Sequence, residues 1–196
     1  MSEDLVQFIR ELFGEPEGFI PLHAPKFKGN ERDYVLETID SAFVSSVGEY
    51  VNLFEEKVAE YTGASYAIAT VNGTAALHVS LVLSGVNPGD EVLTQPLTFV
   101  ATCNAVRYCG AAPVFVDVDQ DTLGMSPERL KEFLDLYCEL GSDGLCRNKK
   151  SNRIVKACVP MHNLGHPVRI DEIQEDCEKY NIALGEDAAE SRGSFY

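Results

Sequence analysis

From Tyr66 to Asp187 short apolar runs, each five to eight residues long, alternate with stretches whose apolar residues recur every three or four positions. The runs "SYAIATV", "DEVLTQP", "APVFVDVD", "RIVKACVP" and "NIALGED" are rich in Val, Ile and Ala and carry few charges, which suits strands buried on both faces. Between them lie "AALHVSLVLSG", a helix from about Ala101 to Tyr108, "SPERLKEFLDLYCEL" and "RIDEIQEDCEKY", which read as helices. Strand–helix–strand units joined by short turns demand a mainly parallel sheet with helices on both faces. The fold class is therefore α/β.

Local signals set the element ends. Ser126 reads as an N-cap with Pro127 at the first helical position, and Leu130, Phe133, Leu134 and Tyr137 face inward. In the last helix Ile170, Ile173 and Cys177 are in register. Upstream, "NERDYVLETIDSAF" has Asn30 as N-cap and Val35, Ile39 and Phe43 along one face, and "VNLFEEKVAEYTG" ends at Gly63. The Gly-containing stretch 141–152 reads as a surface loop. Residues 1–29 form a small helix and an extended arm, and residues 30–196 one large domain.

The chain carries 16 basic and 31 acidic side chains, a net charge of −15. A surface for nucleic acid or anionic membrane, which needs clustered Lys and Arg, is excluded as a partner class. No apolar run approaches the roughly 20 residues that span a bilayer, and "MSEDLVQFIRELFGEP" has acids where a signal peptide has bases. Leu5, Phe8, Ile9 and Leu12 there share one helical face, read as docking on the protein itself. Six cysteines without a CxxC motif read as reduced thiols of a cytoplasmic protein. Cys158, His162 and His166 are spaced by four, but Gly165 and Pro167 interrupt any common helical face, so no metal site is expected.

In parallel sheets ligands gather at the carboxyl ends of the strands. Four features sit there: Asn72-Gly73-Thr74, Thr98-Phe99, His162 and Glu186-Asp187. Gly73 lets a ligand approach the backbone, and the free N–H groups of a helix start with the Thr74 hydroxyl suit a phosphate; the plain alternative is that Thr74 caps the helix. Phe99 could stack on a flat ring or belong to the core. Asp187 could be a metal ligand, a turn cap or the counter-ion of a ligand cation.

The order of the blocks "FIPLHAPKFKGNE", "YAIATVNGTAALHVSL", "PGDEVLTQPLTFVATCNAV", "CGAAPVFVDVD" and "NIALGEDAAES" resembles the DegT/DnrJ-type sugar aminotransferases, enzymes of the type I fold that use pyridoxal 5′-phosphate. The N-terminal "FIRELFG…GFIPLHAP" is similar to the LegC-like branch, which aminates a UDP-linked 4-keto-6-deoxy-N-acetyl sugar on the way to legionaminic-type acids. The resemblance implies a three-layer large domain and a cofactor phosphate held by Gly73, Thr74 and Ala75. It also implies Phe99 on the pyridine ring, Asp187 beside the pyridine nitrogen, Glu190 near the ring's 3-oxygen, and His162 close by. The nucleotide sugar and an amino donor, expected to be glutamate, are the implied substrates, and a homodimer the implied assembly.

The resemblance further implies a Schiff-base lysine that acts as catalytic acid and base. None of the eight lysines matches its position, so it is expected beyond Tyr196, together with the small domain and the strand that pairs with Tyr66–Val71. On that expectation the chain alone is inactive and unstable, or works with a complementary C-terminal segment. The alternative is a non-catalytic protein of the same fold that serves as a binding or partner subunit.

Overall fold

The computed structural model describes residues 3–21 and 24–194; Leu22 and His23 of the expected arm, and Tyr196, lie outside the described residues. Contacts divide the chain into two compact units, Met1–Ala67 and Ile68–Tyr196.

The first unit holds α1 (Glu3–Phe13), α2 (Glu31–Asp40) and α3 (Glu49–Thr62). Glu3 and Asp4 in the first turn of α1 and Arg10 in the last complement its dipole. Within this unit none of the residues of α1 is buried, and Phe8 and Leu12 are exposed. Neither α2 nor α3 has a buried residue either, so the unit builds no core for that face to join. Asn30 does not cap α2 through its side chain, because its backbone (φ −89°, ψ 12°) lies outside the extended region a cap needs. Its amide instead donates to the Tyr34 hydroxyl. Gly63 does end α3, in the left-handed conformation at φ 72°. Tyr50 donates its hydroxyl to Glu37, and this bond pushes the phenol up to about 12.

Tyr66–Val71, expected as a strand whose partner lies outside this sequence, pairs with no strand among the described residues, and Tyr66, Ile68 and Val71 are exposed. A β-rich sequence becomes a strand only where a neighbouring backbone offers ladder partners. The chain then forms α4 (Gly73–Leu83), β1 (Glu91–Thr94), α5 (Val100–Tyr108), β2 (Ala112–Phe115), α6 (Pro127–Tyr137), β3 (Cys138–Leu140), β4 (Cys146–Asn148), β5 (Val155–Val159), α7 (Ile170–Lys179) and β6 (Ala183–Leu184).

Four of these strands form one parallel sheet in the order β2-β1-β5-β6. Alternation along β1 sends Val92 to one side and Leu93 to the other. Val92 packs with Leu81 of α4 and Val106 of α5, and Leu93 with Leu130 and Leu134 of α6 and Ile173 of α7. Helices thus cover both faces, the three-layer arrangement of the α/β class. Glu91 stands opposite Val155, but Val92 opposite Ala157, so Lys156 is the extra residue of a bulge. That insertion shifts the alternation of β5: Val155 and Cys158 join the α6–α7 layer, Ala157 and Val159 the α4–α5 layer.

Ser126 caps α6 as its sequence demands, accepting from the Arg129 amide at 3.4 Å. The stretch 141–152 is not a plain loop. Its first half closes an antiparallel hairpin of β3 and β4, with Gly141 N–H on the Leu145 carbonyl at 3.0 Å. Cys138–Leu140, read as the tail of the preceding helix, instead forms β3, and Cys138 and Cys146 are both drawn into the core. All six cysteines are free thiols. Among the described residues no helix is long and apolar enough to cross a membrane.

Candidate active site

The carboxyl ends of β1 and β5 are tied together by one side chain. Gln95, which follows β1, is fully buried; its carbonyl accepts from the Met125 and Met161 amides at 2.8 and 3.1 Å, and its amide donates to the Leu97 and Met161 carbonyls at 2.9 and 3.1 Å. Every strong bonding capacity of this amide is used, so the turn after β1 and the residue after β5 cannot drift apart.

Past β6 the ladder continues for one more rung. The Asp187 amide donates to Pro160 O at 2.9 Å and its carbonyl accepts from the His162 amide at 3.2 Å. The backbone of Asp187 is therefore as fixed as a strand residue, and its side chain is placed by the sheet itself. That carboxylate is 5% exposed. Thr102 of α5 donates to Oδ2 at 2.6 Å, and the Ala189 amide reaches Oδ1 at 3.3 Å. No cationic side chain bonds to it among the described residues. A buried carboxylate without a cation is costly unless something else supplies positive charge.

Asp187 faces a cavity of about 310 Å³, whose lining includes Gly73, Thr74, Phe99, Met161 and Glu190. That volume falls at the lower end of the roughly 300–1,000 Å³ of small-molecule sites. At one end α4 begins. Its cap is Asn72, whose side chain accepts from the Ala75 amide at 2.9 Å, so the plain reading of Thr74 as the cap does not hold. The Gly73 and Thr74 amides and the Thr74 hydroxyl meet no acceptor among the described residues, and they form the positive end of a helix. A Cβ added to Gly73 would touch nothing within 4 Å, so the space over this residue is open to a ligand. Phe99, the residue before α5, keeps its ring 66% exposed.

The sequence thus placed Gly73, Thr74, Phe99, Asp187 and Glu190 around one cavity. Ala75 lies one residue further along α4, with its amide occupied by Asn72. Glu190 also accepts from the Leu164 amide at 2.7 Å, holding the loop after β5. His162 does not line the cavity. Its Nδ1 accepts from the Val168 amide at 3.0 Å, so the hydrogen of the neutral ring sits on Nε2 and is given to Glu186 at 2.9 Å. This bond holds the Glu186 carboxyl below the usual glutamate range. Any stability linked to it is present above the unfolded value, about 4.3, and fades as the pH falls through the lower folded one. In His162→Phe, Glu186 should titrate back in the ordinary range; carboxyl carbon NMR checks this, and an unmoved titration would remove the assigned cause.

Thr102 and Gln95 were missed in the sequence. Each had a signal: a polar residue inside an otherwise apolar helix face, and an amide closing an apolar strand. Cys158 is buried in the α6–α7 core, its thiol 3.6 Å from the Met125 sulfur. Among the described residues no group of three or more His, Cys, Asp or Glu is arranged to hold a metal.

The profile described as the DegT/DnrJ/EryC1/StrS aminotransferase family matches residues 25–196. The chain belongs to this family. Its cofactor is pyridoxal phosphate, and the cavity fits that group. The ligand has an anionic phosphate and a ring nitrogen able to carry a proton, and the cavity has a helix start at one end and an unpaired carboxylate at the other. A GDP-perosamine synthase of Caulobacter vibrioides is 40% identical over 177 residues, covering 90% of this chain and 43% of that protein. Among solved structures, the aminotransferase from Psychrobacter cryohalolentis is 33% identical at a TM-score of 0.74, covering 90% of this chain and 41% of the other. NtdA from Bacillus subtilis with bound cofactor PMP, the amino form of pyridoxal phosphate, is 28% identical at a TM-score of 0.67, covering 83% and 34%. The chain spans less than half the length of these relatives.

Proposed function

We propose that this chain builds the cofactor site of an aminotransferase that moves an amino group from glutamate to the 4-keto carbon of a nucleotide-linked 6-deoxy sugar. The N-terminal arm favours the UDP-linked N-acetyl form. The observation that carries the reading is the buried, cation-free Asp187 facing the same cavity as the open start of α4. When bound, pyridoxal phosphate supplies a ring that accepts electrons from the substrate, a capacity that depends on a protonated ring nitrogen.

The chain's own residues divide the remaining tasks. The Gly73 and Thr74 amides and the Thr74 hydroxyl bind the phosphate. Phe99 covers one face of the ring and excludes water from it. Asp187 holds a proton at the ring nitrogen, since a carboxylate in a dry site favours the cationic partner. Glu190, which also lines the cavity, would hold the ring's 3-oxygen side. No lysine lines the cavity among the described residues, and the reading assigns the Schiff-base lysine to sequence outside residues 1–196. The assembly it favours is a cytoplasmic homodimer, or a complex with a complementary segment.

The test is amination of UDP-linked N-acetyl and GDP-linked 4-keto-6-deoxy sugars with glutamate as donor, followed by mass spectrometry. Both this chain and the longest open frame containing it are assayed. Turnover of the UDP-linked sugar supports the full reading, and turnover of the GDP-linked sugar alone would replace the substrate. Cofactor binding without turnover in any frame would favour the binding or partner subunit instead.

A further inference from the structure

Three hydroxyl-bearing and acidic side chains form a directed chain behind the cavity. Thr102 is 1% exposed and gives its only hydroxyl hydrogen to Asp187 Oδ2, at 2.6 Å. Its oxygen can then only accept from Thr98, whose Oγ1 lies 2.8 Å away. Thr98 has weaker alternatives in the Met161 sulfur at 3.1 Å and the Phe99 carbonyl at 3.4 Å, so its hydrogen goes to Thr102. Both oxygens of Asp187 are thereby made unequal. Oδ2 is committed to a short, charge-assisted bond, and Oδ1 has only the longer contact to the Ala189 amide.

We propose that Thr102 is a positioning residue for the cofactor: it locks the Asp187 side chain so that Oδ1 is presented to the ring nitrogen, and it keeps the shared proton on the ring. This rests on the cofactor reading above. The second part follows from hydrogen bonding to a carboxylate, which stabilises the ionised form and makes it a poorer proton acceptor. Without the donor, Oδ2 loses the short bond that holds it and Oδ1 is no longer fixed toward the ring nitrogen. Thr102 is also one turn from Phe99, whose carbonyl its amide meets at 3.2 Å. The start of α5 therefore sets both the ring's cover and the orientation of its acid, and Thr98 fixes which way the hydroxyl points.

The test uses pyridoxamine 5′-phosphate labelled with ¹⁵N in the ring, which needs no lysine to bind. Bound to the chain, its nitrogen shift reports protonation directly. In wild type and Thr102→Ser the ring is protonated at neutral pH. In Thr102→Val the ring's proton affinity falls about tenfold, one unit on its titration curve, while the phosphate contacts hold most of the binding. Thr98→Val produces a smaller change of the same sign. Thermal unfolding of the apo variants separates these effects from misfolding. An unchanged nitrogen titration in Thr102→Val, with Asp187→Asn losing the protonated ring, overturns the role of Thr102 and leaves the cofactor reading standing. Failure of wild type to bind the probe overturns both.

Discussion

Asp187→Asn is expected to weaken binding of pyridoxamine 5′-phosphate by ~10- to ~100-fold, the span set by a hydrogen bond to a charged group worth about 1.5–3 kcal/mol. The substitution keeps the size and one acceptor, so Thr102 retains a partner. What is removed is the buried charge that favours a protonated ring nitrogen. The other carboxylate oxygen accepts from the Ala189 amide, and urea unfolding of apo and ligand-loaded protein separates loss of binding from loss of stability. A variant that binds the probe as wild type does would remove the acid from the site. One that loses binding and stability together would make Asp187 a structural residue.

Features visible in the sequence are those fixed by short-range chemistry. The strand "NIALGED" delivers Asp187 to the carboxyl edge because apolar runs pair in register, and Asp187 is the last rung of that ladder. Ser126 and Pro127 start α6 for reasons contained in two adjacent residues. What stayed hidden depends on distant partners. Tyr66–Val71 has a strand's composition and is expected without a partner here, and among the described residues none pairs with it. Cys138 reads as the tail of a helix and Cys146 as an ordinary residue of a polar loop, until burial in the α6–α7 core folds them into a hairpin. Thr102 lies 85 residues from the carboxylate it serves, a separation at which no periodicity reports contact. His162 shows the same limit from the other side. Its place at a strand end was legible, but the amide of Val168 and the acid of Glu186, which engage both ring nitrogens, were not. The Asn72–Thr74 turn lies between these cases. The helix start was clear, but Thr74 was the cap the sequence offered, and the extended backbone of Asn72 (φ −167°, ψ 171°) with its bond to the Ala75 amide gives that place to Asn72.

That choice leaves Gly73 with a sharp expected outcome. It is the first residue of α4, its backbone is not left-handed, and a Cβ built on it finds no protein atom within 4 Å. Neither strain nor packing therefore requires glycine. Gly73→Val should leave the apo chain's unfolding free energy within about 1 kcal/mol of wild type, since a β-branched residue in a helix is no worse than glycine. Its binding of pyridoxamine 5′-phosphate should fall at least ~100-fold, because the branched side chain occupies the approach to two charge-assisted amide contacts. Thr74→Ala, which removes a hydroxyl without adding bulk, should cost only ~5- to ~10-fold, near 1 kcal/mol for one hydrogen bond. Inorganic phosphate competing for the probe locates the loss. If the valine blocks the phosphate subsite, competition disappears with binding in Gly73→Val and survives in Asp187→Asn. A valine variant that binds both ligands normally would mean that the open space over Gly73 is solvent, with the phosphate held elsewhere. A variant that unfolds would mean that glycine is needed by the fold.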